Sequence, residues 1–279
     1  MRAAPPQLFP AGAPLARFAL PISGVAVALR QPTGTEDVLL AEGRVSDPSL
    51  TLALAERLAW TEAGSDWAGF AVTDIDVLIV RLRQAIVGDR VIADVRCDGP
   101  SCGRRVDLSF GLGAYLAHHR PNPARARGRG WSAEPCRDEP GWFSLRDESK
   151  GVARFRLPTL GDQIAVEGLP DTTSVLAARC IRSEHLSHIV SRTEAAMRAL
   201  APALSGPIKG RCPDCAAPIN AYFNARLYCL QELSDHARFV YDDIDALAER
   251  YHWSERAILG LPNDRRTRYA DRARQARLQ

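Results

Sequence analysis

Apolar and polar positions alternate in short runs along this chain and then switch to a three-and-four spacing, and the switches mark its elements. Phe18 to Arg30 alternates, with Val25, Val27 and Leu29 on one face, which predicts a strand. Thr33-x-x-Glu36 reads as a capping box, with a short helix running to Ala41. Asp47-Pro48 opens a second helix, with Leu50, Leu54 and Leu58 on one side. Thr73-x-x-Asp76 opens a third, which turns Val77, Leu78, Leu82 and Ile86 inward and stops at Gly88. Alternation then returns over Asp89–Arg96 and Arg104–Phe110 as the two arms of a hairpin.

From Gly141 a similar series begins. Trp142–Arg146 and Val152–Leu157 form a hairpin, helices follow at about 160–167, 172–184 and 191–204, and a last alternating run carries Ile219, Ala221 and Phe223. Short strings recur in the same order: Arg30-Gln31-Pro32-Thr33 with Arg156-Leu157-Pro158-Thr159, and Leu54-Ala55-Glu56-Arg57 with Leu176-Ala177-Ala178-Arg179. Thr73-x-x-Asp76 pairs with Ser191-x-x-Glu194, and Arg96-Cys97 with Arg211-Cys212. The repetition predicts an internal duplication, with two halves facing each other across a pseudo-twofold axis.

The C-terminal pattern has no counterpart in the first half. Leu230, Leu233, Ala237, Val240, Ile244, Leu247 and Tyr251 follow one another in steps of three and four, with charged residues between them. That is a heptad seam on one long helix, and such a seam wants a partner. Two partners remain open: the last helices of the same chain, or another subunit, self-association through this helix included. Trp253-Ser254-Glu255 starts a new helix with Ser254 as cap and Ile258 and Leu259 inward, Pro262 ends it, and Asp264 caps a last, arginine-rich helix.

Candidate chemistry sits at the two hairpin tips. Cys97 and Cys102 stand between the arms of the first hairpin, and Cys212 and Cys215 precede the last alternating run. A close cysteine pair at a tight turn aims two thiolates at one metal, and a structural zinc takes four ligands. The expectation is one zinc shared by both knuckles, as in a zinc ribbon. Cys180 and Cys229 fall in helical patterns and are expected in the core. With seven cysteines in all, an odd number, a disulfide framework is not expected.

Composition narrows the picture. A 46% apolar content is that of a globular chain, no apolar run is long enough to span a membrane, and the proline-bearing N-terminus lacks the apolar core of a secretion signal. A cytoplasmic protein is expected. A net charge of +3 does not suggest a general nucleic-acid binder. Arg127 and Arg129 in a proline-rich stretch, and the arginines from Arg265 to Arg277, would be the contacts of the alternative function, a zinc-ribbon nucleic-acid-binding regulator. There is no phosphate loop, no dinucleotide fingerprint and no nucleophile elbow. Glu184-His185-x-x-His188 departs from the order His-Glu-x-x-His of metal-dependent peptidases. No catalytic residues are assigned, and a non-enzyme is expected.

Tyr251-His252-Trp253-Ser254-Glu255, then Ile258-Leu259, Pro262, Arg265, Arg266, Arg268 and Tyr269 resemble the C-terminal end of T-even-type phage baseplate proteins. Members of that family are baseplate hub subunits and hub assembly chaperones of contractile-tailed phages and related contractile injection systems. The resemblance covers about 45 residues closely and extends loosely to Cys212, Cys215 and Phe155–Thr159. It implies partners among other baseplate or hub proteins, with the seam and Trp253, Ile258 and Leu259 as the contact face, and incorporation into a tail or injection particle or a role in building one.

The expected fold is therefore α+β: two related helix-plus-hairpin halves sharing a four-cysteine site, with a helical extension. The boundaries are a loose arm at 1–17, a first half at 18–117, a Pro/Arg-rich linker at 118–140, a second half at 141–226, and the extension at 227–279.

Overall fold

A computed structural model describes residues 13–149, 151–183 and 186–277. The run expected to be one strand is two, β1 (Ala16–Ala19) and β2 (Ala26–Leu29), antiparallel with Ala16 opposite Leu29. Pro21 has no amide for the ladder, and Gly24, at φ +70°, supplies the left-handed residue that turns the chain. The arm expected at 1–17 thus ends earlier, because Ala16 and Arg17 already pair; residues 1–12 lie outside the described residues.

Helix α1 (Gly34–Glu42) starts at the predicted box, with Thr33 and Glu36 satisfying each other's amides. Helix α2 (Pro48–Leu58) is capped by Asp47, whose carboxylate accepts the Ser49 amide at 2.7 Å. Strand β3 (Ala59–Trp60) then lies against β2. Helix α3 (Val72–Ile86) starts one residue before Thr73, so Thr73 is not its cap. The Thr73 hydroxyl donates instead to the Pro202 carbonyl at 3.0 Å. Strands β4 (Arg90–Arg96) and β5 (Arg105–Gly111) form the first cysteine hairpin, and α4 (Leu112–His118) follows.

Residues 118–140 are not a linker. They hold β6 (Arg127–Gly128) and β7 (Trp131–Pro135), which extend a five-stranded antiparallel sheet. The half-buried Trp131 faces the core of that sheet, and its ring lies under the Arg192 guanidinium, so the proline and arginine content of the stretch misled the boundary. Next come β8 (Trp142–Asp147), β9 (Gly151–Arg156), α5 (Leu160–Val166), α6 (Thr172–Cys180) and β10 (Ile181–Arg182). Strand β10 pairs with β9 as β3 pairs with β2. Helix α7 (Leu186–Leu200) starts well before Ser191, which lies inside it rather than at its cap. Glu184, His185 and the His188 side chain lie outside the described residues. Strands β11 (Ser205–Arg211) and β12 (Pro218–Asn224) make the second cysteine hairpin.

The long helix expected from Leu230 to Tyr251 is two: α8 (Ala225–Ala237) and α9 (Val240–Tyr251). Two further helices, α10 (Glu255–Leu259) and α11 (Asn263–Arg277), complete the extension. Helix α8 packs on α1 and α3, so Leu230, Leu233 and Ala237 join the largest core with Leu29, Leu54, Leu78 and Leu82. A second core lies on the five-stranded sheet around Leu145, Phe155, Ile181 and Ile189. Cys229 and Cys180 are buried in these two cores, one in each. Among the described residues no helix is long and apolar enough to cross a membrane.

Candidate metal centre

Hairpin β4–β5 and hairpin β11–β12 lie with their tips together. The Cys97 Sγ is 3.6 Å from the Cys215 Sγ, and the Cys102 Sγ is 3.8 Å from the Cys212 Sγ. All four sulfur atoms fall within 4.8 Å of one another. A disulfide needs about 2.05 Å. Four sulfurs at about 2.3 Å from one tetrahedral ion stand about 3.8 Å apart, and the observed separations match that. Both of the short contacts run between hairpins, so an ion held here would join segments 110 positions apart in sequence.

Local backbone explains how each tip aims its thiols. The Cys97 amide donates to the Arg104 carbonyl (2.8 Å) and the Cys212 amide to the Ala217 carbonyl (2.9 Å), closing both loops at the same point. The residue after the second cysteine is left-handed in each: Gly103 at φ +59° and Ala216 at φ +57°. A Cβ on Gly99 would stand 3.1 Å from the Cys215 Sγ, so a larger residue there would push the two loops apart by a few tenths of an ångström. Val95, Val106, Ala217 and Ile219 shield the cluster on one side, leaving Cys97 and Cys212 buried and Cys215 exposed.

The thiols do not behave alike. Amides of Cys215 and Asp214 hold Cys212 down to about 7, with burial opposing them. At Cys97 the Gly99 amide likewise pulls the thiol down, but burial and the crowding thiols of Cys215, Cys212 and Cys102 push it up to about 12. One ready thiolate beside reluctant neighbours is what a metal resolves, since a cation favours all four ionised forms together. Four sulfur ligands close a tetrahedral ion and leave no position for substrate.

The expected contact face is occupied by the chain itself. Leu230, Leu233, Ala237, Val240, Leu247 and Ile258 are buried within the fold, and Ile244, Tyr251, Trp253 and Leu259 are partly covered. The seam therefore packs on its own chain: its first half on α1 and α3, its second on α10 and α11. Tyr251 stacks on Trp253 at 5.0 Å between centroids, and Trp253 meets Tyr269 edge-on at 5.4 Å. Tyr251, Trp253, Ile258 and Tyr269 thus form one small packed unit with Leu247 and Ala270.

Two ionic clusters escaped the sequence reading. Arg266 is buried and bonds Asp37 and Asp243, the latter at 3.0 Å, while Arg274 reaches Asp243 at 2.5 Å. Arg156 bonds Asp162 at 2.5 and 2.8 Å, and Arg179 reaches the same carboxylate at 2.9 Å. The repeated Arg-x-Pro-Thr-x-x-acid string was the available signal for the second cluster, because it sets a cap and an arginine on the same carboxylate.

A cavity of about 590 Å³ opens between the β1–β2 turn, the start of α3 and the β8–β9 hairpin, with Phe70, Trp142, Phe143 and Leu157 in its wall. Its charged groups are spoken for: Asp74 accepts the amides of Ile22 and Ser23 at 2.8 and 2.9 Å, Asp66 accepts that of Ala68, and Arg156 is tied to Asp162. Compared with known proteins, the chain matches no protein-family model, no curated sequence and no solved structure.

Proposed function

We propose that this chain is a non-enzymatic hub assembly factor or structural hub component of a contractile phage tail or a phage-tail-like injection system. Cys97, Cys102, Cys212 and Cys215 bind one structural zinc that ties its two halves together. The observation that carries the zinc assignment is the pair of inter-hairpin sulfur contacts at 3.6 and 3.8 Å, which suits a closed tetrahedral ion and a building role rather than catalysis. The common element order of the two halves supports their origin by duplication: paired strands, two helices, a short third strand, a 15-residue helix, a cysteine hairpin and a helix. Support for the hub reading comes from the resemblance at Tyr251–Tyr269, within which Tyr251, Trp253, Ile258 and Tyr269 pack together. A non-enzymatic role also agrees with a cavity beside α3 whose charged groups are already bonded to the fold.

The nucleic-acid alternative loses ground on charge. In α11, Arg266, Arg274 and Arg277 are neutralised by carboxylates of α1, α9 and α11 itself, which leaves Arg265, Arg268 and Arg272 to meet phosphate. Because the seam is covered, contact with hub proteins uses other surfaces of the halves. Quantitative mass spectrometry of purified tail-like particles and of the soluble lysate tests this reading. Stoichiometric presence in particles identifies a structural subunit, and association with hub proteins in the lysate alone identifies a chaperone. Absence from particles and from every hub complex overturns the proposal.

A further inference from the structure

Helix α8 gives way to α9 at Arg238 and Phe239, and neither residue is a helix breaker. Arg238 keeps helical angles (φ −55°, ψ −24°) and Phe239 departs from them only modestly (φ −80°, ψ 3°). The apolar series runs across the joint without losing a step, from Leu230 through Ala237 and Val240 to Tyr251. Local sequence thus favours one continuous helix, and the elbow is imposed by what α9–α11 dock on.

The start of α9 carries the mark of that conflict. Phe239 occupies its N-cap position and offers no side-chain acceptor to the first amides of the helix. The ladder stops with the Arg238 amide on the Ser234 carbonyl (3.0 Å) and resumes with the Asp243 amide on the Phe239 carbonyl (3.0 Å). A continuous helix would supply a carbonyl to each amide between them. The elbow also leaves Phe239 and Tyr241 exposed at 51% and 47%.

The docking that holds the elbow pairs an apolar contact, Leu259 on Gly34, with a set of polar ones. Arg266 and Asn263 bond Asp37, the Asn263 amide donates to the Pro32 carbonyl (3.2 Å), and the Tyr241 hydroxyl bonds Glu42 (2.6 Å). Helices α9–α11 meanwhile share a small core of their own around Leu247, Ile258 and Ala270. A module with its own core and a partly polar seat behaves like a transiently bound domain.

We propose that α8 and α9 also join into one helix over Ala225–Tyr251, which carries α9–α11 onto α1 and the Pro32–Thr33 turn of a second copy of this chain. That copy returns its own module, so each docking contact is remade between chains, and the partner is identical by construction. The two elbows meet in such a dimer, and Phe239 and Tyr241 gain cover there.

Light scattering after size exclusion, on the full chain over a wide concentration range, reads the dimer. Phe239→Pro matches the φ of −80° at the bend; its strain on the helical Arg238 falls on both forms alike, while the lost amide and the clash with the carbonyl four residues back fall on the continuous helix. It is expected to weaken dimerisation at least tenfold. An exchanged dimer is told from a surface dimer by a second measurement. Chains carrying Glu42→Cys with Tyr241→Cys are made in light and heavy isotopes, mixed dilute, concentrated and oxidised. Cross-linked peptides joining light to heavy chains are expected. A wild-type chain monomeric at every concentration, a dimer indifferent to Phe239→Pro, or 42–241 links found only within single isotopes would each overturn the exchange.

Discussion

Arg30 and Arg156 stand at the same place in two similar turns, and each bonds a carboxylate six residues on, Glu36 at 2.7 Å and Asp162 at 2.5 Å. What covers the two turns is different. The carbonyl of Pro158 takes the amide of Val72, the first residue of α3, whereas the carbonyl of Pro32 takes that of Asn263, the first residue of α11. One turn is closed by the opposite half, the other by the C-terminal extension, and in both a 15-residue helix does the closing. The carboxylates diverge as well. Burial raises the pKa of Asp162, but bonds from Arg156, the Thr159 amide and Arg179 outweigh it and hold the group well below the usual carboxylate range. Glu36 has the single arginine and Thr33. A repeated local string therefore solves a local problem, the start of a helix, and leaves the covering element to the rest of the fold.

The largest effect expected tests the four-cysteine cluster and the zinc proposed for it. Structural zinc binds with an apparent free energy on the order of 10 kcal/mol. Cys212→Ser, or a strong chelator, is expected to release one zinc per chain, measured by elemental analysis, and to lower the melting temperature by about 10 °C or more. Equal metal content and equal melting in variant and wild type would mean that Val95, Val106 and Ile219 hold the tips together unaided.

A smaller effect separates the two turns. Asp162→Ala leaves Arg156, a quarter exposed, and Arg179, nearly half exposed, without their carboxylate and is expected to cost about 2–3 kcal/mol in urea unfolding, because two charge-assisted partners and the Thr159 cap lose the same group. Glu36→Ala frees one arginine, itself a quarter exposed, and should cost about 1–2 kcal/mol. Equal costs would show that the second arginine adds nothing. Because the folded pKa of Asp162 is depressed, its contribution is full above the ordinary carboxylate value near pH 4 and disappears only in stronger acid.

Much of this was legible in the sequence where the signal is local. The box at Thr33, the cap at Asp47, the cap at Ser254 and the glycine stop at Gly88 needed only neighbouring residues. The cysteine cluster was legible because four thiols in two close pairs leave few alternatives. Distance in the chain hid the rest. The hydroxyl of Thr73 is used 129 positions away, at Pro202, so a good capping string is not a cap. Trp131 hides a strand inside a stretch whose prolines and arginines read as linker. The seam from Leu230 to Tyr251 correctly announced a buried face, but periodicity carries no word about whose helices bury it.

Asp76 and Glu194 sharpen the same comparison at the smallest scale. They hold matching places in the strings that misread as caps, one in α3 and one in α7, and their surroundings are opposite. Glu194 is exposed and faces Arg198 at 3.7 Å. Asp76 is buried, its Oδ1 lacks a hydrogen bond among the described residues, and the nearest cation is the Arg226 Nε at 3.4 Å. Burial pushes Asp76 up to about 6, with Arg226 only partly offsetting it. Between about pH 4 and 6 the unfolded chain has given up a proton that the folded chain keeps, so this group destabilises the fold as pH rises through that window. Asp76→Asn removes the titration. Its stability relative to wild type is expected to improve by about 2–3 kcal/mol between pH 4 and pH 7 in parallel urea titrations. Taking the difference also cancels the loss of metal in acid, which both chains share. Glu194→Gln should hold within about 0.5 kcal/mol of wild type across the same range. A constant offset between Asp76→Asn and wild type from pH 4 to 7 would mean that Arg226 keeps Asp76 ionised throughout, and that α3 and α7 treat their matched carboxylates alike.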